Sequence, residues 1–351
     1  MRIKEDSAML PSVHEPVVDF HPPHYVCRRT RIPLGEPDGR LDKPFWEQAP
    51  WTSPFHDIEG DSRPAPAKLV QAKLLWDDEA LYIGAYLQED AIWATVTQRD
   101  HVIFEDNDFE VFLAPQDSTH RYYELEMNAL NTVWDLLMEK PARDGVRRII
   151  GWDIHGLKSA VYIEGKLNCP AADNRFWSLE LVIPWFSLRE CGENECYPAR
   201  LAPEDGEIWR MNFSRVEWTV DVVDGQYRKR LDPATGRPLP EANWVWAPTG
   251  VIDIHMPELW GYLLFTQDDE QTFSLPEDEA IKWQLRRLYY RERNYGAAHG
   301  HYTTSLKALL GEETLSITPR IDVTPNLFEI SAPASHGTLH IRQDGYLWRE
   351  P

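Results

Sequence analysis

The chain has 351 residues, and 42% of them are hydrophobic, which is enough apolar material for a large core and excludes general disorder. It carries 36 Lys and Arg against 57 Asp and Glu, and the formal net charge of −21 repels nucleic-acid phosphates and anionic lipid headgroups. No segment approaches the ~18 uninterrupted apolar residues of a membrane span. We therefore expect that the protein neither binds nucleic acid nor spans a membrane. The composition does not indicate a protein partner.

The N-terminal segment shows no hydrophobic period and is rich in proline, histidine and arginine. We interpret residues 1–40 as an extended arm, because such a composition favours an extended segment on the surface. The first residues lack the continuous apolar stretch of a signal peptide. Either the chain is cytoplasmic, or an export signal was removed before this numbering begins.

Residues 41–266 have a β-pattern almost throughout. Val70, Ala72 and Leu74 alternate with polar residues, a turn follows at 77–80, and a second alternating run covers 81–87. No helical period separates these runs from the next ones. The pattern predicts a mainly β protein, namely a two-sheet antiparallel β-sandwich of the jelly-roll or immunoglobulin-like type. The further runs of strand length are 108–114, 122–128, 132–138, 158–163, 177–183, 208–218 and 260–266.

The period changes after Thr266. The segment 274–277 has the form of a capping box, and apolar residues at helical spacing follow as far as Gly296. A second short helix is predicted at about 304–310, and 344–345 is the Asp-Gly dipeptide of a hairpin turn. Residues 267–351 are therefore expected to form a small appendage of helix plus β-hairpin.

The sequence lacks the common catalytic frameworks. It contains no dinucleotide-binding glycine motif, P-loop, nucleophile elbow or zinc-protease motif, which argues against those enzyme classes. Four cysteines are too few for a disulfide scaffold. Cys191 and Cys196 could close one loop, and the alternative is that all four are free thiols.

The most informative feature is a pair of acidic strands. Alternation places Asp106, Asp108 and Glu110 on one face of the first strand, and it places the even-numbered residues of 122–128 on one face of the next. If the strands pair, five carboxylates and one amide share a surface, and like charges on facing strands cost stability unless something binds them. The alternatives are a solvated sheet face, a polar floor for sugar hydroxyl groups, or a calcium site at Asp106 and Asp108. The six residues are Asp106, Asp108, Glu110, Glu124, Glu126 and Asn128.

A floor that binds sugar also needs aromatic walls and charged partners. Sugar C–H faces pack on aromatic rings, although in a chain with 15 Trp most indoles must belong to the core. Arg99 is close enough in sequence to offset the acidic charge. Arg215 falls on the apolar side of its strand, so it either closes a structural ion pair or marks a pocket. His255 lies in a loop that leads to the last strand and is a further contact candidate. The wall candidates are Phe104, Trp134, Trp93 and Trp218.

Several of these segments resemble carbohydrate-binding module family 9, in order and in spacing. The resemblance covers roughly residues 41–266 and is greatest to the branch of family-9-like sugar-binding proteins. It implies a β-sandwich that binds polysaccharide ends or small sugars between two aromatic rings and that supports carbohydrate catabolism. Members of the family are often attached to xylanases, and some hold structural calcium. The resemblance also implies an exported protein, periplasmic or extracellular. The segments are Lys43–Trp46, Leu75–Tyr82, Asp106–Phe112, Glu126–Ala129, Trp177–Glu180, Ile183–Trp185, Trp209–Phe213 and Trp260–Gly261.

The resemblance also assigns roles to single residues. It places the first aromatic ring at Phe104, the ligand carboxylate at Glu110, and a polar contact near Ser214 where the family has an amide. The second ring falls near 254–255, where this sequence has no aromatic residue. The implied ligand-binding residues, taken with those from the strand pattern, are Arg99, Phe104, Asp108, Glu110, Glu124, Glu126, Asn128, Trp134, Ser214, Arg215 and His255.

Carbohydrate binding without catalysis is the leading hypothesis, and two others stay open. A glycoside hydrolase would use two of the clustered carboxylates, whose separation distinguishes retaining from inverting chemistry. A haem-binding relative of the same sandwich would use Met127, Met211 or His255 as axial ligands. The leading hypothesis requires no cofactor apart from the calcium that the resemblance implies.

Overall fold

A computed structural model of the chain describes residues 10–16, 18, 20–116, 118–145, 147–191 and 202–351. Strands dominate and helices are few, so the mainly β class is confirmed. No helix in these ranges is long and apolar enough to cross a membrane. The helices are α1 (Pro44–Glu47), α2 (Glu279–His299) and α3 (Leu306–Leu310). The strands are β1 (His24–Arg29), β2 (His56–Asp57), β3 (Val70–Trp76), β4 (Ala80–Gln88), β5 (Asp108–Ala114), β6 (Tyr122–Asn128), β7 (Val133–Lys140), β8 (Arg147–Ile149), β9 (Lys158–Glu164), β10 (Phe176–Pro184), β11 (Ile208–Glu217), β12 (Val220–Val223), β13 (Gln226–Lys229), β14 (Ala242–Val245), β15 (Gly261–Thr266), β16 (Arg320–Val323), β17 (Phe328–Ala334), β18 (Gly337–Arg342) and β19 (Leu347–Glu350).

The main sheet contains thirteen of the described strands. Eleven follow one path in the order β8-β7-β6-β5-β11-β15-β1-β3-β4-β10-β9, while β14 pairs with β11 and with β2. These strands pair antiparallel except at β1, which runs parallel to both β15 and β3. Because β1 connects the two halves, the strands form one continuous hydrogen-bonded sheet. A two-sheet sandwich therefore stays a prediction about how this sheet bends.

β1 revises the expectation of an N-terminal arm. Residues 24–29 lie inside the stretch interpreted as a surface arm, yet they form a strand in the middle of the main sheet. Tyr25 is 4% exposed and Cys27 is fully buried. The local pattern does not predict this strand, because its two inward-facing residues are a tyrosine and a cysteine instead of aliphatic residues.

One apolar core fills the inner face of the main sheet. Strands from both halves contribute to it, for example Phe109 and Val111 from β5 and Leu179 from β10. Trp209 packs on Phe265 with ring centroids 5.1 Å apart. The alternation that sends these residues inward sends the acidic residues of β5 and β6 to the opposite face.

A second, smaller core surrounds α2, which packs on β17 and β18 of the four-stranded sheet β16-β17-β18-β19, and Val13, Met256 and Leu259 also belong to this core. The helix begins at Glu279, after the predicted capping box, and the carboxylate of its N-cap residue Asp278 accepts hydrogen bonds from Ser335 instead of from the first turn of the helix. It continues past the predicted stop at Gly296 and ends at Gly300, whose φ of 73° suits glycine. The hairpin turn at Gly345, with φ 76°, is confirmed.

Three cysteines lie in the described residues, and no disulfide bond joins any two of them. Cys27 and Cys191 are buried, and Cys169 is half-buried. Cys196 lies outside the described residues, so its pairing with Cys191 stays a prediction.

Candidate functional site

The register of β5, β6 and β11 builds one acidic face on the side of the sheet away from the main core. Glu110 lies directly opposite Glu126 on β6, and Ser214 of β11 is its neighbour on the other side. Asp108 stands one step along β5 on the same face, opposite Asn128. The predicted pairing of the two acidic strands is thus confirmed.

Asp108, Glu110, Glu124 and Glu126 form what we call the acidic cluster. Their exposed fractions are 0%, 6%, 6% and 1%, so this is not a solvated sheet face. Carboxylate oxygens of Asp108, Glu110 and Glu126 lie within 4.8 Å of one another. Within the described ranges, no Lys or Arg forms an ion pair with any of the four. Buried like charges at this spacing require protons, a cation or a polar ligand to offset them.

Burial raises the pKa of every carboxyl group in the acidic cluster. It raises the pKa of Glu110 to about 7, with the Ser214 hydroxyl acting in the opposite direction. It raises the pKa of Glu124 to about 8, with repulsion from Glu110 adding to the effect and Arg148 opposing it. The pKa values of Asp108 and Glu126 also lie well above their ordinary range, through burial and then repulsion from Glu110. The ligand-free cluster therefore holds protons near neutral pH.

Three buried polar atoms on this face have no hydrogen-bond partner among the described residues. Two are acceptors, Asp108 Oδ2 and Glu124 Oε2, and the third is a donor, the indole Nε1 of Trp134. Trp134 lies opposite Glu126 on β7. A group that both donates and accepts hydrogen bonds, such as a hydroxyl, would satisfy atoms of both kinds.

Aromatic rings border the acidic cluster. Phe104 is 41% exposed, and its ring lies 6.4 Å from that of the buried Trp134, with the two planes tilted by 35°. Trp218 is half-buried and donates its indole N–H to the carbonyl oxygen of Phe104 at 2.9 Å. The ammonium of Lys229, on the β12–β13 hairpin, lies 3.4 Å from the centre of the Trp218 ring. Phe104 is the member of this border that offers a ring face to solvent, whereas Trp93 is buried, with 6% of its surface exposed.

Beyond the acidic cluster, the same face of the sheet is apolar and packs against Trp260. Phe112 and Tyr122 pack on this indole. His255 lies beside them, and its Nδ1 is 2.8 Å from the Tyr122 hydroxyl. Burial lowers the pKa of the His255 imidazole. His255 therefore shares the face with the acidic cluster, with Tyr122 next to it.

Arg99 does not join the acidic cluster. Its guanidinium pairs with Asp135 at 2.5 Å and with Asp153 at 3.1 Å. Asp135 is opposite Leu125 in the β6–β7 ladder, so its side chain projects to the other face of the sheet. The expectation that Arg99 offsets the acidic row is therefore wrong, because closeness in sequence does not fix the side of the sheet.

Arg215 is structural, which is one of its two predicted roles. It is fully buried on the inner face and pairs with Glu89 and, at 2.7 Å, with Glu217. Lys68 bonds the same two glutamates. A side chain held this way is not available to a ligand on the acidic face.

Asp106 and Asn128 are occupied by internal hydrogen bonds. Asp106 Oδ2 accepts from the backbone N–H groups of Thr95 and Val96, both at 2.8 Å, and from Asn128 Nδ2 at 3.0 Å. The amide oxygen of Asn128 accepts from two backbone N–H groups of the β6–β7 turn. These contacts fix the turn and leave Asp106 outside the group of acids that could share a metal ion.

The residues named for haem ligation do not meet. Met127 and Met211 are fully buried in the main core. His255 lies on the other face of the sheet, against Phe112 and Tyr122. No pair of these side chains could hold the two sides of one haem.

The sequence analysis missed Arg148, whose charge acts on Glu124. It lies on β8 opposite Met138, at the exposed rim of the acidic face. Its strand has three residues and no alternating pattern, so only the pairing with β7 reveals its position.

The comparison with protein families confirms the sequence resemblance over part of the chain. The model described as carbohydrate family 9 binding domain-like matches residues 38–142. This segment runs from the residues before α1 to the end of β7, and it includes Phe104, Trp134 and the whole acidic cluster. No curated protein matches the chain.

Three solved structures match the chain at low sequence identity. One, from Bacteroides uniformis ATCC 8492, is described as a candidate carbohydrate-binding protein; it has 15% identity and a TM-score of 0.47, over 69% of this chain and 99% of that one. The other two show a family 9 carbohydrate binding module from Caldicellulosiruptor kristjanssonii with glucose and with cellotriose. Both have 17% identity; their TM-scores are 0.41 and 0.40, over 71% and 72% of this chain and 98% of theirs.

Proposed function

We propose that this protein binds carbohydrate without transforming it. The acidic face is the floor of the site, and the rings of Phe104, Trp134 and Trp218 form its wall. The observation that carries the proposal is the group of unpaired acceptors and one unpaired donor beside an exposed ring, within the segment that matches the family 9 model.

The chemistry of a sugar fits this arrangement. A hydroxyl group can donate to a carboxylate while it accepts from the Trp134 indole, so one pyranose could pair atoms of both kinds. Its C–H face could pack on Phe104. Hydrogen bonds to a buried carboxylate contribute more than those at a wet surface, because water competes less for them.

Glu110 and Glu124 are the members of the acidic cluster that a ligand reaches most directly, since each keeps 6% of its surface exposed. A sugar would approach them from the side of Phe104 and Arg148. A glycoside hydrolase stays the alternative, and it would need two carboxyl groups ~5–5.5 Å or ~6.5–9.5 Å apart.

A glycan array of mono- and oligosaccharides tests the proposal, followed by calorimetric titration of the sugars retained. We expect Glu110→Gln to weaken binding about tenfold or more, because an amide NH₂ replaces one of the two carboxyl oxygens that can pair with a hydroxyl group. Asp153→Asn is the matched control, since it removes a half-exposed carboxylate on the other side of the sheet. An array without any bound sugar would contradict the proposal, and release of sugar from oligosaccharides would favour the hydrolase instead.

The wider biological role follows from the family resemblance alone. Support of carbohydrate catabolism and export from the cytoplasm are predictions on that basis. They are separate from the binding test, which concerns only the acidic face.

A further inference from the structure

A second group of aromatic side chains lies on the strands β4, β10 and β9, at the other end of the strand order from β8. Tyr86 on β4, Phe176 on β10 and Tyr162 on β9 point away from the main core, because the residues next to them in each strand pack in it. Trp51, which precedes β2, lies beside Tyr86. We call these four side chains the aromatic row.

The rings of the aromatic row form a continuous series across three strands. The ring centroids of Trp51 and Tyr86 are 6.5 Å apart, and those of Tyr86 and Phe176 are 4.9 Å apart. The ring of Tyr162 follows at 6.0 Å from Phe176. Trp51 is 40% exposed, and the other three side chains are half-buried. Single exposed rings are common on protein surfaces, whereas a contiguous exposed series is typical of a binding surface.

A basic side chain lies at each end of the aromatic row. The ammonium of Lys73 is 4.6 Å from the centre of the Trp51 ring, and the guanidinium of Arg40 is 3.7 Å from the centre of the Tyr162 ring. Across the described ranges, neither of these cations forms an ion pair with a carboxylate. The two ends of the row are therefore positive, although the chain as a whole has a net charge of −21.

The acids near Arg40 are paired with other groups. Glu164 accepts a hydrogen bond from the hydroxyl of Tyr162, and Asp38 forms an ion pair with Lys43 at 2.7 Å. A guanidinium has five N–H donors in a planar fork that fits a carboxylate with two parallel hydrogen bonds. Arg40 is exposed, so a carboxylate outside the chain can reach it.

Lys73 is partly buried without a carboxylate partner. Its Nζ donates one hydrogen bond, to the carbonyl oxygen of Trp46 at 2.8 Å. Burial lowers the pKa of Lys73, and the charge of Glu47 acts in the opposite direction. An ammonium has three N–H donors, so Lys73 can also bind an external carboxylate, which would offset the cost of its burial.

We propose that the aromatic row binds an extended polysaccharide chain that carries carboxylate groups, that is, a polymer of uronic acids. Sugar rings pack on Tyr86 and Phe176, while carboxylates of the polymer pair with Lys73 at one end and with Arg40 at the other. A polysaccharide fits better than an acidic protein segment, because its repeated sugar rings match a linear series of aromatic rings.

This inference does not rest on the proposed function of the acidic face. Four other strands lie between β4 and β5 in the strand order, so the two sites share no strand. Substitutions at one site leave the side chains of the other unchanged. The failure of either proposal is therefore distinguishable from the failure of the other.

The test is calorimetric titration of the full chain with two β-linked oligosaccharides that differ only in charge. Hexamannuronate carries a carboxylate on every sugar, and mannohexaose has a hydroxymethyl group in the same place. We expect the wild type to bind hexamannuronate at least about tenfold more tightly than mannohexaose, because charged pairs strengthen the hydrogen bonds. Arg40→Gln, Lys73→Gln and Phe176→Ala should each weaken hexamannuronate binding about tenfold.

Two controls and the melting temperatures separate specific binding from other effects. Glu110→Gln, on the acidic face, and Lys307→Gln, which removes an exposed cation of α3, should both bind hexamannuronate like the wild type. Arg40→Gln should melt like the wild type, because Arg40 is exposed, so its loss of binding cannot come from unfolding. Equal affinity of the wild type for the two oligosaccharides would overturn the proposal. So would unchanged hexamannuronate binding in both Arg40→Gln and Lys73→Gln.

Discussion

Buried carboxyl groups with unpaired oxygens are the most distinctive residues of this protein, and they also occur away from the acidic face. Glu292 of α2 is fully buried, and its Oε1 accepts the Thr303 N–H at 2.5 Å. Its Oε2 has no partner in the described part of the chain. Burial raises the pKa of Glu292 from 4.5 to about 7. The folded chain therefore keeps a proton on Glu292 that the unfolded chain releases at lower pH.

The sign of the resulting pH dependence follows from linkage. Between about pH 4.5 and 7 the folded state binds one more proton than the unfolded state does. The contribution of Glu292 to the free energy of unfolding therefore falls as the pH rises through this window. Glu292→Gln keeps the acceptor for Thr303 and does not titrate. We expect it to match the wild type near pH 4.5 and to be more stable at pH 8 by about 1 kcal/mol, or roughly 2 °C. Melting temperatures at the two pH values check this. If the melting temperature changed equally from pH 4.5 to pH 8 in the wild type and in the variant, the prediction would be contradicted.

Phe104 offers a second prediction at the residue scale. Its side chain is 41% exposed, so Phe104→Ala should change stability by no more than about 0.5 kcal/mol. If its ring carries a sugar, the variant should bind the array-selected sugar about tenfold more weakly. Phe186→Ala, which removes another exposed ring at 52%, is the control and should bind normally. Equal losses in both variants would count against a specific stacking role.

Among the structural elements, β1 decides how the main sheet is connected. It lies between β15 and β3 and is parallel to both. Its residue Tyr25 donates a hydrogen bond to the carbonyl oxygen of Pro50 at 2.7 Å and accepts one from the backbone N–H of Leu74 at 3.0 Å. A single hydroxyl thus connects β1 to β3 and to the segment before it.

Tyr25→Phe tests that connection. The variant keeps the ring but leaves a buried N–H of β3 unpaired, so we expect a loss of about 1–3 kcal/mol in the free energy of unfolding. Denaturant unfolding measures this value. Tyr162→Phe is the control, because water can replace the contact of its hydroxyl with Glu164 at the sheet surface. A Tyr25→Phe variant as stable as the control would show that β1 is held mainly by other contacts.

For the whole molecule, the C-terminal residues are joined to the main sheet by buried ion pairs. Arg293 of α2 pairs with Asp144 at 2.6 Å, and both side chains are fully buried. Arg210 of β11 pairs with Glu279 of α2 at 2.7 Å, and the hydroxyl of Tyr290 of α2 donates a hydrogen bond to Glu258. The second hydrophobic core also contains Val13, Met256 and Leu259, so it extends across the predicted boundary at residue 266, which stays a prediction.

We therefore expect one cooperative unfolding transition for both parts. Arg293→Met should lower the stability of the whole chain by about 3–5 kcal/mol, since it leaves the buried Asp144 with only the more distant guanidinium of Arg143, at 3.5 Å. Scanning calorimetry measures the number of unfolding transitions and the stability that the variant loses. Two separate transitions in the wild type would instead support independent domains. Restored stability in Arg293→Met with Asp144→Leu would confirm that the lost charge pair causes the effect.

Local sequence determined the strands and the side to which their residues point. The predicted runs 108–114 and 122–128 match β5 and β6, and alternation assigned Glu110 and Glu126 to a shared face. Neighbouring residues in a strand must point to opposite sides, so this information is present in any short window of sequence. The family resemblance around these strands comes from the same local pattern.

The tertiary structure alone decided which charges meet. Arg215 pairs with Glu89, 126 positions earlier, whereas Arg99, close to the acidic strands in sequence, lies on the other face of the sheet. Arg148 reaches the acidic face only because β8 pairs with β7. Strand order and sheet curvature arise from contacts between distant segments, which no local period encodes. These contacts bury the four carboxyl groups of the acidic cluster side by side, whereas Arg99 and Arg215 pair with other acids.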